Sequence, residues 1–217
     1  MPASTPTVIE IGTYADGRPA HWHLTTLSDS RIQVMGGLIT GRTGSGGTTL
    51  LAGIARAAHE HRVAELRAVH TPLELADYVQ LAPSYEHLLA DLEARIEQRR
   101  TDQPAGRMDA RTLVLIDEAD RVFTRESAPR WAAVVRVGRA LGIAVVARMH
   151  GSDLRAFGGC DALRCALLTG NRVHLAPFAA GRRRLPIVPT YPSRAGAIEP
   201  SGQVFALVGQ PVTTRPT

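Results

Sequence analysis

No lysine occurs anywhere in this chain of 217 residues, and all 25 of its basic residues are arginines. The absence matters because Gly41-Arg42-Thr43-Gly44-Ser45-Gly46-Gly47-Thr48 follows the phosphate-loop template G-x-x-x-x-G-K-[ST] at Gly41, Gly46 and Thr48. Gly47 stands where that template has its lysine, and no lysine from another segment can take the place. Long apolar runs are missing too. Leu113 to Ile116 and Ile143 to Ala147 fall far short of the roughly 20 residues a membrane-spanning helix needs, so no span is expected. Met1-Pro2-Ala3-Ser4-Thr5-Pro6 has no basic region followed by an apolar core, so no secretory signal is read and a cytoplasmic location is expected. Cysteine is scarce. Cys160 and Cys165 fit a reducing compartment, match no common zinc-ligand spacing, and read as buried free thiols. There are no internal repeats.

What is present suits one well-buried domain: 44% of the residues are hydrophobic, enough for a single sizeable core at this length. The formal charge of +5 permits contact with nucleic acid or acidic lipid, and a general bias toward Arg, Ala and Gly explains it equally well. Residues 7–12 and 19–24 read as two strands joined at Asp16-Gly17, a strong turn pair. Met35 to Thr40 is a strand running into the glycine loop, and Thr48 to Glu60 carries helical spacing through Leu50, Leu51 and Ile54. A strand is expected at Ala64 to Val69, then helical patterning at 72–80 and more strongly at 84–100. Thr112 to Ile116 is an apolar strand of the kind covered on both faces of a parallel sheet. A helix (Trp131 to Leu141), a strand from Gly142 to Ala147, a helix (Asp161 to Leu168) and strands at Arg172 to Leu175 and Gln203 to Val208 follow. The alternation predicts an α/β layered fold with a mainly parallel sheet. It divides into a β-hairpin extension over 1–30, a core over 31–180, and a Pro/Arg-rich segment over 181–217 that ends in a strand of the same domain.

In a phosphate loop, consecutive backbone N–H groups converge on an anion and the following helix adds its positive end. Residues Gly41, Arg42, Thr43, Gly44, Ser45, Gly46, Gly47, Thr48 and Thr49 are the candidate cofactor-binding set for ATP. Thr48 stands where a hydroxyl holds Mg²⁺. Losing the preorganised lysine donor at such a site costs about 3–4 kcal/mol, roughly a hundred- to a thousandfold in rate. Arg42 begins too early in the loop to replace it. The second motif, Leu113-Val114-Leu115-Ile116-Asp117-Glu118, delivers two carboxylates to the C-terminal end of a strand, the edge where ligands bind in open α/β sheets. There Asp117 would hold the Mg²⁺ hydration shell and Glu118 would orient and deprotonate a water. Capping of the Thr124–Ser127 region or surface ion pairing is the structural alternative.

These motifs in this order resemble the FtsK/SpoIIIE family of hexameric DNA-pumping ATPases, including the TraB-type motors of plasmid transfer. The resemblance rests on Gly37 to Gly46, Leu113 to Glu118, Gly138 to Ala147, and Asp16-Gly17-Arg18-Pro19 ahead of the loop. It covers about residues 7 to 175. It implies a P-loop NTPase core of the RecA/FtsK-like, three-layer kind with an N-terminal β-hairpin, and a nucleotide site using ATP and Mg²⁺. As partners it implies double-stranded DNA bound without sequence preference, and a homo- or hetero-oligomeric ring with an intact motor. The family's sensor strand ends in Thr-Gln where this chain has Met149-His150, so His150 becomes the candidate hydrogen-bonding group toward phosphate or water. With Gly47 in place of lysine, impaired hydrolysis is expected, and neither a membrane-spanning N-terminus nor a winged-helix DNA reader is found, so pumping by this chain unaided is not.

Two other readings stay open. One is a pseudo-ATPase adaptor whose loop is only a turn and whose partner is protein. The other, ranked below it, follows from Asp117-Glu118-Ala119-Asp120, which is similar to the motif of DEAD-box helicases. Such an enzyme needs a second tandem domain and a Ser-Ala-Thr strand end that this sequence lacks. Arg182-Arg183-Arg184 is a candidate contact to phosphate backbone or a solvated run. His21 and His23 share one side of a strand but have no third metal ligand nearby in sequence.

Overall fold

The computed structural model describes residues 7–14, 19–28, 31–70, 78–102, 111–175 and 205–207. Four strands open the chain: β1 (Val8–Tyr14), β2 (Pro19–His23), β3 (Thr25–Ser28) and β4 (Arg31–Val34). Then come β5 (Gly37–Gly41), α1 (Gly47–Glu60), β6 (Glu65–Ala68), β7 (Val79–Leu81) and α2 (Tyr85–Asp102). The remainder is β8 (Thr112–Ile116), α3 (Ala128–Gly138), β9 (Ile143–Met149), α4 (Asp161–Leu168), β10 (Asn171–Leu175) and β11 (Phe205–Leu207). Strands β5 to β10 form one parallel sheet in the order β10-β5-β9-β8-β6-β7. The strand that feeds the glycine loop is thus separated from the strand that carries Asp117 by one intervening strand, β9.

Side chains on a strand alternate between faces, and here both faces are covered. Ile39, Leu113, Leu115, Ala144 and Val146 pack on one face with Leu50, Leu51 and Ile54 of α1. Leu38, Val114, Ile116, Val145, Ala147 and Met149 pack on the other with Leu88, Leu92 and Trp131. Every residue of β5, β8 and β9 is buried, which is why these strands read as continuous apolar runs. The result is a three-layer α/β domain.

The α1 layer is extended by the N-terminal strands. β1 pairs antiparallel with β2 and with β11, and Ile11, Ala20, Trp22 and Leu24 join the α1-side core. Asn171, fully buried, ties this extension to the sheet. Its side-chain amide donates to the carbonyl oxygens of His23 (2.9 Å) and Gly36 (3.1 Å), and its Oδ1 accepts from the His23 N–H (3.1 Å).

Three expectations change. The helical patterning read over 72–80 does not reach its end: residue 78 is in a turn and β7 begins at Val79, while 71–77 lie outside the described residues. Between β2 and β5 a two-stranded hairpin, β3–β4, was not foreseen. The thiols are not buried: Cys160 is half-buried and Cys165 is exposed. On α4 the inward stripe is Leu163 and Leu167, and Cys165 lies between them on the outer side, where a hydrogen bond to Asp161 raises its pKa. The Asp16-Gly17 turn, most of the 101–111 connection and the Arg182-Arg183-Arg184 run fall outside the described residues. Among the described residues, no helix is long and apolar enough to cross a membrane.

His23 gives the fold a pH dependence. Burial, reinforced by the neighbouring His21, holds its pKa below the ordinary value of 6.5. The folded state therefore favours the neutral ring, and the unfolded chain takes up the proton first as pH falls. This contribution to stability is complete above about pH 6.5 and is lost as pH drops through that value toward the folded pKa. Thermal denaturation between pH 7.5 and pH 5 is expected to give a shallower decline for His23→Gln than for the unaltered chain; an equal slope would remove His23 from the account.

Candidate phosphate-binding site

β5 ends at Gly41 and the loop turns back into α1 through Gly46, which adopts a left-handed conformation (φ 89°). Ser45 N–H bonds the Arg42 carbonyl at 3.1 Å, and Leu50 N–H bonds the Gly46 carbonyl at 2.9 Å. The helix has no side-chain cap and no acidic residue in its first turn. Its first N–H groups have no intrahelical acceptor, so they carry the positive end of α1 toward the loop with nothing from the helix's own side chains to neutralise it. Arg42, Thr43, Gly44 and Thr49 are exposed, whereas Ser45 and Gly47 are buried.

Asp117 follows β8 and continues its alternation: Leu113 and Leu115 face α1, and so does the carboxylate two residues on. The Thr48 hydroxyl donates to Asp117 Oδ2 at 2.8 Å, and the Glu118 N–H donates to Asp117 Oδ1 at 2.9 Å. Loop and acid strand thus meet at the C-terminal edge of the sheet. Glu118 takes another direction. Its backbone is left-handed (φ 52°), a costly conformation for a non-glycine residue, and its carboxylate pairs with Arg121 at 2.7 Å. Tyr85 lies behind both acids. Burial first, then the charges of Asp117 and Glu118, push its phenol up to about 12, so it stays neutral beside them.

His150 links the two motifs. Its Nε2 is 3.2 Å from the Thr43 hydroxyl and its Nδ1 is 3.0 Å from Asp120 Oδ2. A proton on Nδ1 satisfies both contacts, the ring donating to the carboxylate and accepting from threonine.

One residue at this edge was missed by the sequence reading. Arg148, on β9, is only 5% exposed. It shares the alternation of Ala144 and Val146 and therefore faces α1. One of its terminal nitrogens lies 3.4 Å from Asp117 Oδ1, and its Nε is buried with no hydrogen-bond partner. A Cβ added at Gly47 would fall 2.8 Å from that Nε and 3.1 Å from Cγ. The signal available in sequence was an arginine inside Ile143-Ala144-Val145-Val146-Ala147-Arg148-Met149, a charge in an otherwise apolar run.

The residues present fit a Mg²⁺-bound nucleotide. An uncapped helix N-terminus, two orphaned buried polar atoms (Ser45 Oγ and Arg148 Nε), and a hydroxyl–carboxylate pair of the oxygen-donor type Mg²⁺ prefers all converge. Among the described residues there is no cluster of three or more His, Cys, Asp or Glu side chains suited to a bound metal, His21 and His23 included. A cavity of about 540 Å³ lies elsewhere, at the N-terminal ends of β5 and β9 against α3 and α4. It is on the opposite edge of the sheet from Thr48 and Asp117 and has no part in this constellation.

The sequence matches no protein-family model and no curated protein. Solved structures do share the fold. The cytoplasmic domain of the Thermomonospora curvata type VII secretion ATPase EccC superposes with a TM-score of 0.66 over 95% of this chain at 16% identity. ATPases 2 and 3 of EssC from Geobacillus thermodenitrificans give 0.64 over 94% at 16% identity. ATPases 2 and 3 of T. curvata EccC, solved in complex with a signal sequence peptide, give 0.65 over 95% at 17% identity. The chain spans 29% of the first of these chains and 41% of each of the other two. At such identities the likeness establishes the fold alone: a three-layer α/β domain with a parallel six-stranded sheet and an N-terminal antiparallel hairpin, shared with these ATPase domains.

Proposed function

We propose that this chain binds a Mg²⁺–nucleoside triphosphate at the edge between the glycine loop and Asp117, and that it turns the nucleotide over slowly or not at all. The observation that carries the reading is the 2.8 Å contact between Thr48 and Asp117, the pair that flanks the metal in the P-loop template. Thr48 and Asp117 would hold the Mg²⁺, and the free N–H groups at the start of α1 would hold phosphate oxygens. Bound Mg²⁺ offsets phosphate charge. Slow turnover follows from the chain's own groups: Gly47 offers no cation, and Glu118 is engaged with Arg121 at 2.7 Å rather than free to accept a proton. His150, held by Thr43 and Asp120, orients the loop against the segment after β8.

The wider role we attach to this site is that of a subunit in a larger ATPase ring acting on a polymer. The net charge of +5 and the resemblance to DNA-pumping motors favour double-stranded DNA as that polymer. Salt-dependent retention of a random duplex by the purified chain tests this part.

The nucleotide part is tested by titrating ATP with Mg²⁺ and again with EDTA. The unaltered chain should bind at least tenfold more tightly with Mg²⁺. For Asp117→Asn the two affinities should converge, because a neutral amide no longer holds the cation. If neither condition gives binding, the adaptor reading replaces this one.

A further inference from the structure

We infer that Arg148 supplies the phosphate-directed positive charge that the lysine-free loop lacks, and that position 47 is glycine because the arginine stem occupies its side-chain space. The inference rests on the proposed nucleotide site and names the group that would grip the phosphates there.

Topology puts Arg148 in place. β9 lies between β5 and β8, and in register Arg148 stands beside Ile39 of β5, two residues before the loop begins at Gly41. On the other side Ala147 pairs with Ile116, so the next residue of each strand, Arg148 and Asp117, emerges at the same edge. A basic side chain on the α1 face of β9 at this level therefore reaches the space below the loop from the sheet, whereas the template's lysine reaches it from the first turn of the helix.

The hydrogen bonding is unfinished in a way that asks for an anion. A guanidinium has five N–H donors in a fixed fork. Among the described residues the charge of Arg148 meets only Asp117, at 3.4 Å, longer than the 2.7–2.9 Å of a well-formed charge-assisted bond. Its Nε–H has no acceptor although it is buried, and Ser45 Oγ within the loop is also buried and unpartnered. Buried donors in folded proteins nearly always have a partner; Arg67 Nε and Arg111 Nε lack one as well, but Arg148 Nε lies against Gly47 in the first turn of α1, where a bound anion is the missing partner. Oxygens of a bound phosphate chain are that partner in chemistry: anionic, multidentate and matched to a guanidinium fork.

Gly47 completes the argument. A Cβ there would come within 2.8 Å of Arg148 Nε, 3.1 Å of Cγ and 3.5 Å of Cδ. A side chain at position 47 requires Arg148 to move from this place, so restoring the template residue by itself displaces the cation already present.

The test uses the full chain with two probes, MgATP and inorganic tripolyphosphate, in titration calorimetry. Arg148→Met should weaken both by roughly tenfold to a hundredfold, the contribution of one charged hydrogen-bonding group, and Arg148→Lys, which keeps the charge but loses the fork, should fall between Arg148→Met and the unaltered chain. Gly47→Lys alone should bind no more tightly than the unaltered chain. The double variant Gly47→Lys with Arg148→Ala, which moves the cation back to the loop, should regain most of what Arg148→Met loses. Melting temperatures give a readout independent of ligand: Gly47→Ala should destabilise the unaltered chain and be tolerated once Arg148 is Ala. Unchanged affinity of Arg148→Met overturns the inference and leaves the nucleotide site standing, as does a tenfold tightening by Gly47→Lys alone. Failure of the unaltered chain to bind either probe overturns the nucleotide site itself.

Discussion

Gly36→Ala is expected to lower the melting temperature by about 6–12 °C, the shift that a loss of about 3 kcal/mol produces in a domain of this size. A Cβ at Gly36 would be driven into the carbonyl group of Val145 in β9, a contact with backbone and not with a side chain that can rotate away. The carbonyl of Gly36 is meanwhile held by both the N–H and the side-chain amide of Asn171, at 3.0 and 3.1 Å. The segment cannot retreat without breaking the bonds that join the hairpin extension to the sheet. Because Gly36 immediately precedes β5, any retreat also shifts the strand that delivers Gly41 and the loop. Gly53→Ala is the matching control. It lies on the exposed side of α1 with nothing near a new Cβ, so the same change should there stabilise the chain by about 1 kcal/mol through helix propensity alone. If Gly36→Ala melts with the unaltered protein, the close approach of β4–β5 to β9 is not as drawn.

The parts of the fold that were legible in sequence are those where one period dominates. β8 and β9 declare themselves as apolar runs because both of their faces are covered, and α1 and α2 do so through their buried stripes. The β3–β4 hairpin was not legible: Thr25–Ser28 and Arg31–Val34 are four residues each and mostly polar, too short to establish an alternation. β7 has three residues, of which only Val79 is buried, and nothing separates that from the end of a helix. At the site, Thr48 and Asp117 were legible because each sits inside a spaced motif. Arg148 was not, because its meaning is set by strand order. Only when β9 is inserted between the loop strand and the acid strand does an arginine near its end become a neighbour of both, and strand order leaves no mark on a single sequence. The missing lysine was visible at once, while the group standing in its space was 101 positions away.

Asp117→Leu is expected to destabilise the fold by about 3 kcal/mol, and combining it with Arg148→Met should recover at least half of that loss. The reasoning is the asymmetry of buried ion pairs: removing one member leaves an uncompensated charge, whereas replacing both by apolar groups of similar volume is often nearly neutral. Arg148 has 6% of its side chain exposed and Asp117 20%, so the arginine suffers more from the loss of its partner. Recovery will be incomplete because Asp117 also accepts from the Thr48 hydroxyl and the Glu118 N–H, and those donors lose their acceptor in the double variant too. Urea denaturation with an unchanged slope reads the effect directly as a shift in midpoint. A double variant no more stable than Asp117→Leu would mean that the acid does not hold the arginine. Recovery would instead identify the pair as a stability cost retained for the anion-binding edge it builds. The loop, the acid and the strand-borne cation would then form one electrostatic unit, in which Asp117 holds Arg148 in position while leaving its remaining donors turned toward the start of α1.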